Sequence, residues 1–174
     1  VAGGDTAAAL AAGCPVIVKG HSAHPGTSEI VAQAIDDSIK ACNLHTGTIS
    51  VIQGGARDVG QALVQHPLIK AVGFTGSLAG GKALFDLCAA REEPIPFFGE
   101  LGSVNPMFLL PQAMASRRAD IASGWVGSLT MGVGQFCTNP GIAIVIDGDD
   151  AAVFVEDVTS LLSKVDSQMM LTDG

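Results

Sequence analysis

Two residues in the second half of the chain have side chains that suit acyl-transfer chemistry. Cys137 lies in the run Gly-Gln-Phe-Cys-Thr-Asn-Pro-Gly (134–141), where small residues leave main-chain N–H groups free and give a substrate access. Glu100 follows the apolar run 95–98, so its carboxylate is expected to be partly desolvated and usable as a base near neutrality. Taken singly, Cys137 also fits an inert, buried small hydrophobe, and Glu100 fits an exposed loop acid.

A second group of candidates follows predicted strands, at the edge where open α/β sheets bind ligands. Lys19 ends the first strand, Gly-Gly-Ala-Arg (54–57) follows the second, and Thr-Gly-Ser (75–77) follows the third and opens a helix. The N–H groups and positive dipole end of such a helix favour a phosphate, although the pattern is not G-x-G-x-x-G. A solvated lysine at Lys19 and an ordinary N-cap at Ser77 remain the alternatives.

The elements that position these residues alternate between β-branched runs and segments of helical period. Strands are predicted at 15–19, 48–52, 69–74, 95–100, 107–110 and 141–147. Helices are predicted at 6–12, 28–42, 59–65, 78–90, 120–132 and 151–165. The alternation predicts an α/β fold with a doubly wound, mainly parallel, Rossmann-like sheet. The continuous apolar run 15–19 predicts a strand that is buried on both faces.

A domain boundary is predicted near Glu100, where prolines and glycines of the stretch 94–106 interrupt the alternation. Residues 1–99 are then part of a dinucleotide-binding domain, and residues 100–174 are the start of a catalytic domain that contains Cys137. The chain starts without Met, and its first predicted helix has no preceding strand to pack on. We therefore expect it to be part of a longer protein.

The composition restricts the function classes. The 174 residues are 48% hydrophobic, which is enough for a real core. A formal net charge of −8, with only nine lysines and arginines, argues against nucleic-acid binding. Neither a membrane span nor an export signal is recognisable. The four cysteines are widely spaced, which suits a reducing cytoplasm. No metal site is predicted, because His21 and His24 are the only close pair of histidines and no cysteine lies at zinc-finger spacing from them.

Four motifs occur in the order and approximate spacing of the aldehyde dehydrogenase superfamily, which the chain resembles from residue 1 to about residue 165. They are Leu-Ala-Ala-Gly-Cys-Pro-Val-Ile-Val-Lys (10–19), Gly-Phe-Thr-Gly-Ser (73–77), Glu-Leu-Gly (100–102) with Asn105-Pro106, and Gly-Gln-Phe-Cys (134–137). The resemblance implies that the Cys137 thiolate attacks an aldehyde to give a thiohemiacetal, which loses hydride to the nicotinamide and leaves a thioester. Glu100 then matches the base that activates water for hydrolysis and helps to deprotonate Cys137.

The resemblance also implies oxyanion contacts from the Cys137 N–H and from an asparagine upstream of residue 1. Without that asparagine, the chain alone is expected to be inactive. The full-length protein is expected to be a cytoplasmic, bacterial homo-oligomer, either a dimer or a tetramer.

A nicotinamide dinucleotide site is implied at Lys19, Ser22, Arg57, Gly76, Ser77 and Leu101. Lys19 matches the lysine that holds the adenine ribose, and Ser77 matches the serine at the pyrophosphate. NAD-preferring members commonly place a glutamate where this chain has Ser22. A hydroxyl can donate a hydrogen bond to a 2′-phosphate that a carboxylate would repel, and Arg57 can pair with that phosphate, so NADP is expected to be preferred with NAD possible. A mere surface arginine is the alternative for Arg57.

The expected substrate is a semialdehyde. This chain has Glu-Leu-Gly-Ser-Val-Asn-Pro (100–106) where many members have Glu-Leu-Gly-Gly-Lys-x-Pro, and Phe136 and Thr138 flank the nucleophile. These variants, with His-Ser-Ala-His-Pro (21–25), resemble the ketoglutarate-semialdehyde branch and suggest 2,5-dioxopentanoate. Fatty aldehydes are the alternative within the branch. A CoA-acylating enzyme is disfavoured by Glu100, and a nucleotide-binding fragment with an inert cysteine is the non-enzymatic alternative.

Overall fold

The computed structural model describes residues 3–55 and 57–172, which form two compact units. The first unit ends at Leu101 and the second begins at Gly102. This division lies close to the predicted one, whose assignment to dinucleotide-binding and catalytic parts stays a prediction.

The first unit consists of a leading helix and two strand–helix–strand repeats joined by a further helix. Its elements are α1 Gly4–Ala11, β1 Val16–Lys19, α2 Pro25–Ala41, β2 Ile49–Ile52, α3 Arg57–Gln65, β3 Val72–Gly76, α4 Leu78–Ala89 and β4 Phe97–Leu101. A 3-10 turn at Thr46–Thr48 precedes β2. Strand β1 pairs in parallel with β2, and β3 pairs in parallel with β4.

The second unit contains one more repeat of the same kind and a final helix. Its elements are β5 Pro106–Leu109, α5 Pro111–Thr130, a 3-10 turn at Met131–Gly134, β6 Ile142–Val145 and α6 Asp149–Leu162. Strand β5 pairs in parallel with β6, and α5 and α6 pack together. The parallel pairing in all three repeats confirms the predicted α/β class, since parallel neighbours need a crossover.

The sheet differs from the prediction in extent and burial. In the described chain, the strands form three two-stranded sheets, not one continuous sheet. The expectation that the first strand is buried on both faces was wrong, because Ile17 in β1 is 45% exposed. The predicted third strand began too early, since the Ile69 N–H donates to the His66 carbonyl in a turn before β3.

Helix α5 is longer than the predicted segment 120–132 and begins at Pro111. Proline suits the first turn of a helix because its missing N–H would have no intrahelical partner there. The backbone of Arg117 has φ −149°, so the helix is kinked at that point. The kink disrupts the continuous helical period and explains why the first part of α5 was not predicted.

Each unit has its own apolar core. In the second unit the core cluster consists of Leu109, Met114, Ala122 and Phe154. In the first unit it consists of Val64, Cys88 and Ile95. Strands β3 to β6 pack on these two clusters, whereas β1 and β2 contact α1 and α2.

Met114 is expected to be the most costly single methionine to truncate. Its side chain is 1% exposed in the α5 core, so Met114→Ala removes packed atoms and leaves a cavity. We expect the free energy of local opening of α5 and α6, measured by hydrogen exchange, to fall by about 2 to 5 kcal/mol. Met169→Ala is the control, since Met169 is 94% exposed and should change that free energy by less than about 0.5 kcal/mol. Equal effects of the two substitutions would contradict this packing.

Candidate active site

The carboxyl ends of β1 and β2 bring two of the predicted cofactor residues, Lys19 and Ser22, to one edge of the first sheet. Lys19 lies opposite Ile52 in the register, and the Gly20 N–H donates to the Ile52 carbonyl at 2.8 Å. A side-chain carbon added at Gly55 would lie 4.0 Å from the Ser22 Cβ. Helix α3 then begins at Arg57. Thus Lys19 and Ser22 lie at the same sheet edge as Gly55, two positions before Arg57 in the sequence.

The turn that carries Ser22 is fixed by local hydrogen bonds. The His24 N–H donates to the His21 carbonyl at 3.0 Å, and the Ala23 N–H donates to the His21 ring at 3.2 Å. The His24 ring nitrogen lies 2.8 Å from the Thr27 hydroxyl at the start of α2. Ser22 is therefore presented to solvent on a short, internally bonded turn.

The chemistry of this edge fits an anionic, hydroxyl-rich ligand. Lys19 offers an ammonium group, Ser22 a hydroxyl and Arg57 a guanidinium, and all three can donate hydrogen bonds. Arg57 is exposed, and it opens α3, whose first N–H groups have no intrahelical partners. A phosphorylated ribose requires donors of this kind, so the residues present fit a dinucleotide.

Strands β3 and β4 place Ser77 and Glu100 at a second sheet edge. Thr75 lies opposite Glu100, and Gly76 lies opposite Leu101. Thr75 and Gly76 belong to the strand, which the sequence interpretation had ended before them. The Ser77 hydroxyl caps α4 by accepting the Gly80 N–H at 3.2 Å. This contact supports the ordinary N-cap interpretation and leaves the hydroxyl hydrogen able to donate to a phosphate.

Glu100 and Leu101 lie on opposite faces of β4, because side chains alternate along a strand. Leu101 faces α4, since a side-chain carbon at the buried Gly81 would lie 2.0 Å from its Cδ2 atom. The Leu101 side chain therefore points away from the face that Glu100 occupies. Glu100 shares the other face with Phe98, which is 67% exposed. Glu100 itself is exposed, so the expected desolvation of this carboxylate was wrong within the described chain.

Cys137 lies in the second unit, on the loop between the 3-10 turn and β6, with its side chain exposed. Immediately before this loop the backbone is left-handed, with φ 60° at Val133 and φ 74° at Gly134. A β-branched residue rarely adopts such a φ, so Val133 is strained next to the loop. The Cys137 N–H has no hydrogen-bond partner among the described residues.

The main chain around Cys137 is held from both sides. Its carbonyl accepts hydrogen bonds from the Asn105 side-chain amide at 2.8 Å and from the Ser103 hydroxyl. The carbonyl of Phe136 accepts the Asn139 N–H at 3.1 Å. The Asn139 side chain in turn donates to the Leu129 carbonyl at 2.9 Å and ties the loop to the end of α5. An exposed thiol thus sits on a main chain whose neighbouring carbonyls are both bonded.

The sequence does not reveal these supporting residues. Asn105 stands in it only as part of a motif, and Ser103 only as a departure from the common family pattern. The one sequence feature that could have indicated them is that polar Ser103 and Asn105 stand where many family members have a glycine and a variable residue. Their partner lies 32 to 34 positions further along the chain, so no local pattern reveals the contact.

The other cysteines provide a contrast for Cys137. Cys88 is 1% exposed in the first core, and burial raises the pKa of its thiol, which disfavours the reactive thiolate. Cys14 and Cys42 are exposed just after α1 and α2, and their main-chain N–H groups donate to the Ala9 and Ser38 carbonyls at 3.0 Å. All four described cysteines are free thiols.

The sequence was compared with known families and curated proteins. The profile of the aldehyde dehydrogenase family matches residues 1–172. The alpha-ketoglutaric semialdehyde dehydrogenase 2 of Azospirillum brasilense is 52% identical over 174 residues, which are 100% of this chain and 33% of that protein. The alpha-ketoglutaric semialdehyde dehydrogenase of Acinetobacter baylyi is 49% identical over 176 residues, covering 99% of this chain and 32% of that protein. The chain thus spans about a third of the length of these relatives.

The fold was compared with solved structures. The gamma-glutamyl-gamma-aminobutyraldehyde dehydrogenase of Burkholderia cenocepacia matches with a TM-score of 0.77 and 27% identity, over 88% of this chain and 29% of that protein. This similarity agrees with the Rossmann-like expectation for the fold. Among the described residues, no helix is both long enough and apolar enough to cross a membrane.

Proposed function

Since the chain belongs to the aldehyde dehydrogenase family, we propose that the full-length protein oxidises an aldehyde to a carboxylic acid with a nicotinamide dinucleotide. The observation that carries this proposal is the exposed Cys137 thiol on a loop whose main chain is bonded on both sides of that residue. A nucleophile needs access to substrate together with a fixed direction of attack. Cys88 is buried, and the N–H groups of the exposed Cys14 and Cys42 already donate to helix carbonyls, so none of these three combines an accessible thiol with an N–H that can bind an oxyanion.

The proposed chemistry assigns one task to each residue. The Cys137 thiolate adds to the aldehyde carbon, so a C–S bond forms and the carbonyl oxygen becomes an oxyanion that the Cys137 N–H can bind. A bound nicotinamide dinucleotide supplies the acceptor for the hydride that this carbon then loses. Glu100 takes a proton from the water that hydrolyses the resulting thioester, which releases the acid and regenerates Cys137.

We propose 2,5-dioxopentanoate as the substrate, because the two relatives that are 52% and 49% identical over the aligned residues are named for α-ketoglutaric semialdehyde. The test is the formation of reduced dinucleotide by the full-length protein with a panel of semialdehydes and fatty aldehydes. The proposal expects the highest kcat/KM for 2,5-dioxopentanoate. A higher kcat/KM for long-chain aldehydes would overturn the substrate and leave the reaction class intact.

We propose NADP as the preferred dinucleotide, because the Lys19, Ser22 and Arg57 edge offers donors for a 2′-phosphate. Arg57→Ala is expected to raise the KM for NADP⁺ much more than that for NAD⁺, since NAD⁺ lacks this phosphate. The expected loss is about 1 to 3 kcal/mol of NADP⁺ affinity. Steady-state kinetics with each dinucleotide at saturating aldehyde measure the two KM values.

The matched control for this substitution is Arg117→Ala, which removes an exposed arginine from α5. It should leave both KM values unchanged. Equal effects of Arg57→Ala on NADP⁺ and NAD⁺ would remove the reason for preferring NADP⁺. The cytoplasmic location and a dimeric or tetrameric assembly of the full-length protein remain predictions of the same proposal.

A further inference from the structure

The side-chain amide of Asn105 contacts two carbonyls of the loop that carries the proposed nucleophile. Its side-chain nitrogen lies 2.8 Å from the carbonyl oxygen of Cys137 and 2.8 Å from the carbonyl oxygen of Asn139. A primary amide has two N–H donors, so both are used on the same loop. The Ser103 hydroxyl donates to the same Cys137 carbonyl. Three donor hydrogens from one segment are therefore directed at two carbonyls of the nucleophile loop.

The backbone that carries Asn105 is itself anchored. Asn105 has φ 47°, a left-handed conformation that asparagine tolerates better than most residues. The next residue, Pro106, begins β5 and lies opposite Ile142 of β6. The Gly141 N–H donates to the Val104 carbonyl at 3.0 Å. The Asn105 side chain thus extends from backbone that is hydrogen-bonded to β6 and its preceding residue, which restricts its movement more than a free loop would.

We propose that Asn105, assisted by Ser103, is a positioning residue that fixes the direction of the Cys137 thiol and N–H; this rests on the function proposed above. Peptide units are planar, so bonding the carbonyls of Phe136 and Cys137 orients the two peptide planes that flank the Cys137 Cα. The Cys137 N–H shares a plane with the Phe136 carbonyl. Both the attack on the aldehyde and the binding of the oxyanion then depend on this bonded geometry.

The test uses two substitutions that keep the left-handed backbone accessible. Asn105→Asp preserves the shape of the side chain, but its carboxylate faces two carbonyl oxygens and offers no donor when ionised. Asn105→Gly removes the side chain without adding a charge. In the full-length protein, both are expected to lower kcat on the order of 10²-fold, while the KM for the dinucleotide stays within about twofold. Ser103→Ala should lower kcat less, because the amide contacts remain.

Asn43→Asp is the matched control, since Asn43 is also a left-handed asparagine, with φ 51°, at the end of α2. It should leave kcat unchanged. A kcat within about threefold of the parent enzyme in both Asn105 variants would overturn the positioning role. The positioning role would also be overturned if, in both variants, kcat and dinucleotide affinity fell together in proportion to a loss of folded protein. Failure of the proposed function itself is distinguished by Cys137→Ala, whose retained activity would remove the nucleophile that Asn105 is proposed to position.

Discussion

Replacing Cys137 with alanine in the full-length protein is expected to lower kcat/KM for the aldehyde on the order of 10⁴-fold or more. A methyl group cannot form the thiohemiacetal, so the covalent route is lost rather than slowed. The side chain is exposed and its contacts with Ser103 and Asn105 are made by the main-chain carbonyl. The substitution should therefore leave the loop and the fold intact, which circular dichroism and thermal unfolding can verify.

The matched controls for this substitution are Cys14→Ala and Cys42→Ala, which remove the other two exposed thiols. Both should retain activity close to that of the parent enzyme. Substantial dehydrogenase activity in the Cys137→Ala protein would refute the nucleophile assignment. An equal loss in the Cys42→Ala protein would indicate that the effect is not specific to the loop.

The substitution Glu100→Gln is expected to lower steady-state kcat by about 10² to 10⁴-fold and to leave a first turnover of reduced dinucleotide. Glutamine keeps the size of the side chain but cannot accept the proton of the hydrolytic water, so the thioester forms and persists. Rapid-mixing measurements should show a burst of reduced dinucleotide followed by a slow steady state. Because Glu100 is exposed on β4, the exchange should not disturb the core.

Glu93→Gln is the matched control, since Glu93 is an exposed acid in the same unit with a known surface partner. Its carboxylate lies 2.9 Å from the Lys70 ammonium group, which lowers the pKa of Glu93. The control should show neither a burst nor a lower kcat. If Glu100→Gln also abolished the first turnover, Glu100 would act before the thioester, and an unchanged kcat would exclude it as the base.

The fold was predictable from the sequence where local chemistry determines it. The apolar run before Lys19 and the helical period over 28–42 predict a strand and a helix, and β1 and α2 occur there, with α2 beginning three residues earlier at Pro25. The start of α5 was not predictable from period alone, because the kink at Arg117 divides the pattern. The separation of the strands into pairs depends on packing between elements, which no residue pattern encodes.

The sequence predicts candidate site residues, but it does not predict the hydrogen bonds that hold the loop of Cys137. The order of Lys19, Ser77, Glu100 and Cys137 predicts the cofactor-binding and reacting groups through resemblance to the family, and this assignment stays a prediction. The hydrogen bonds from Ser103 and Asn105 join positions far apart in the chain, so only the folded structure reveals them. The left-handed backbone of Val133 was equally hidden, because valine intrinsically disfavours that conformation.

The assignment of Cys137 as the nucleophile is tested most directly by peptide mass spectrometry of full-length Glu100→Gln protein quenched during turnover with 2,5-dioxopentanoate and NADP⁺. We expect the peptide containing Cys137 to carry the added mass of the acyl group, in an amount that matches the burst of reduced dinucleotide. We also expect the peptides with Cys14, Cys42 and Cys88 to carry none. A burst of reduced dinucleotide without an adduct on Cys137, or with the adduct on another cysteine, would contradict the assignment of Cys137 as the nucleophile.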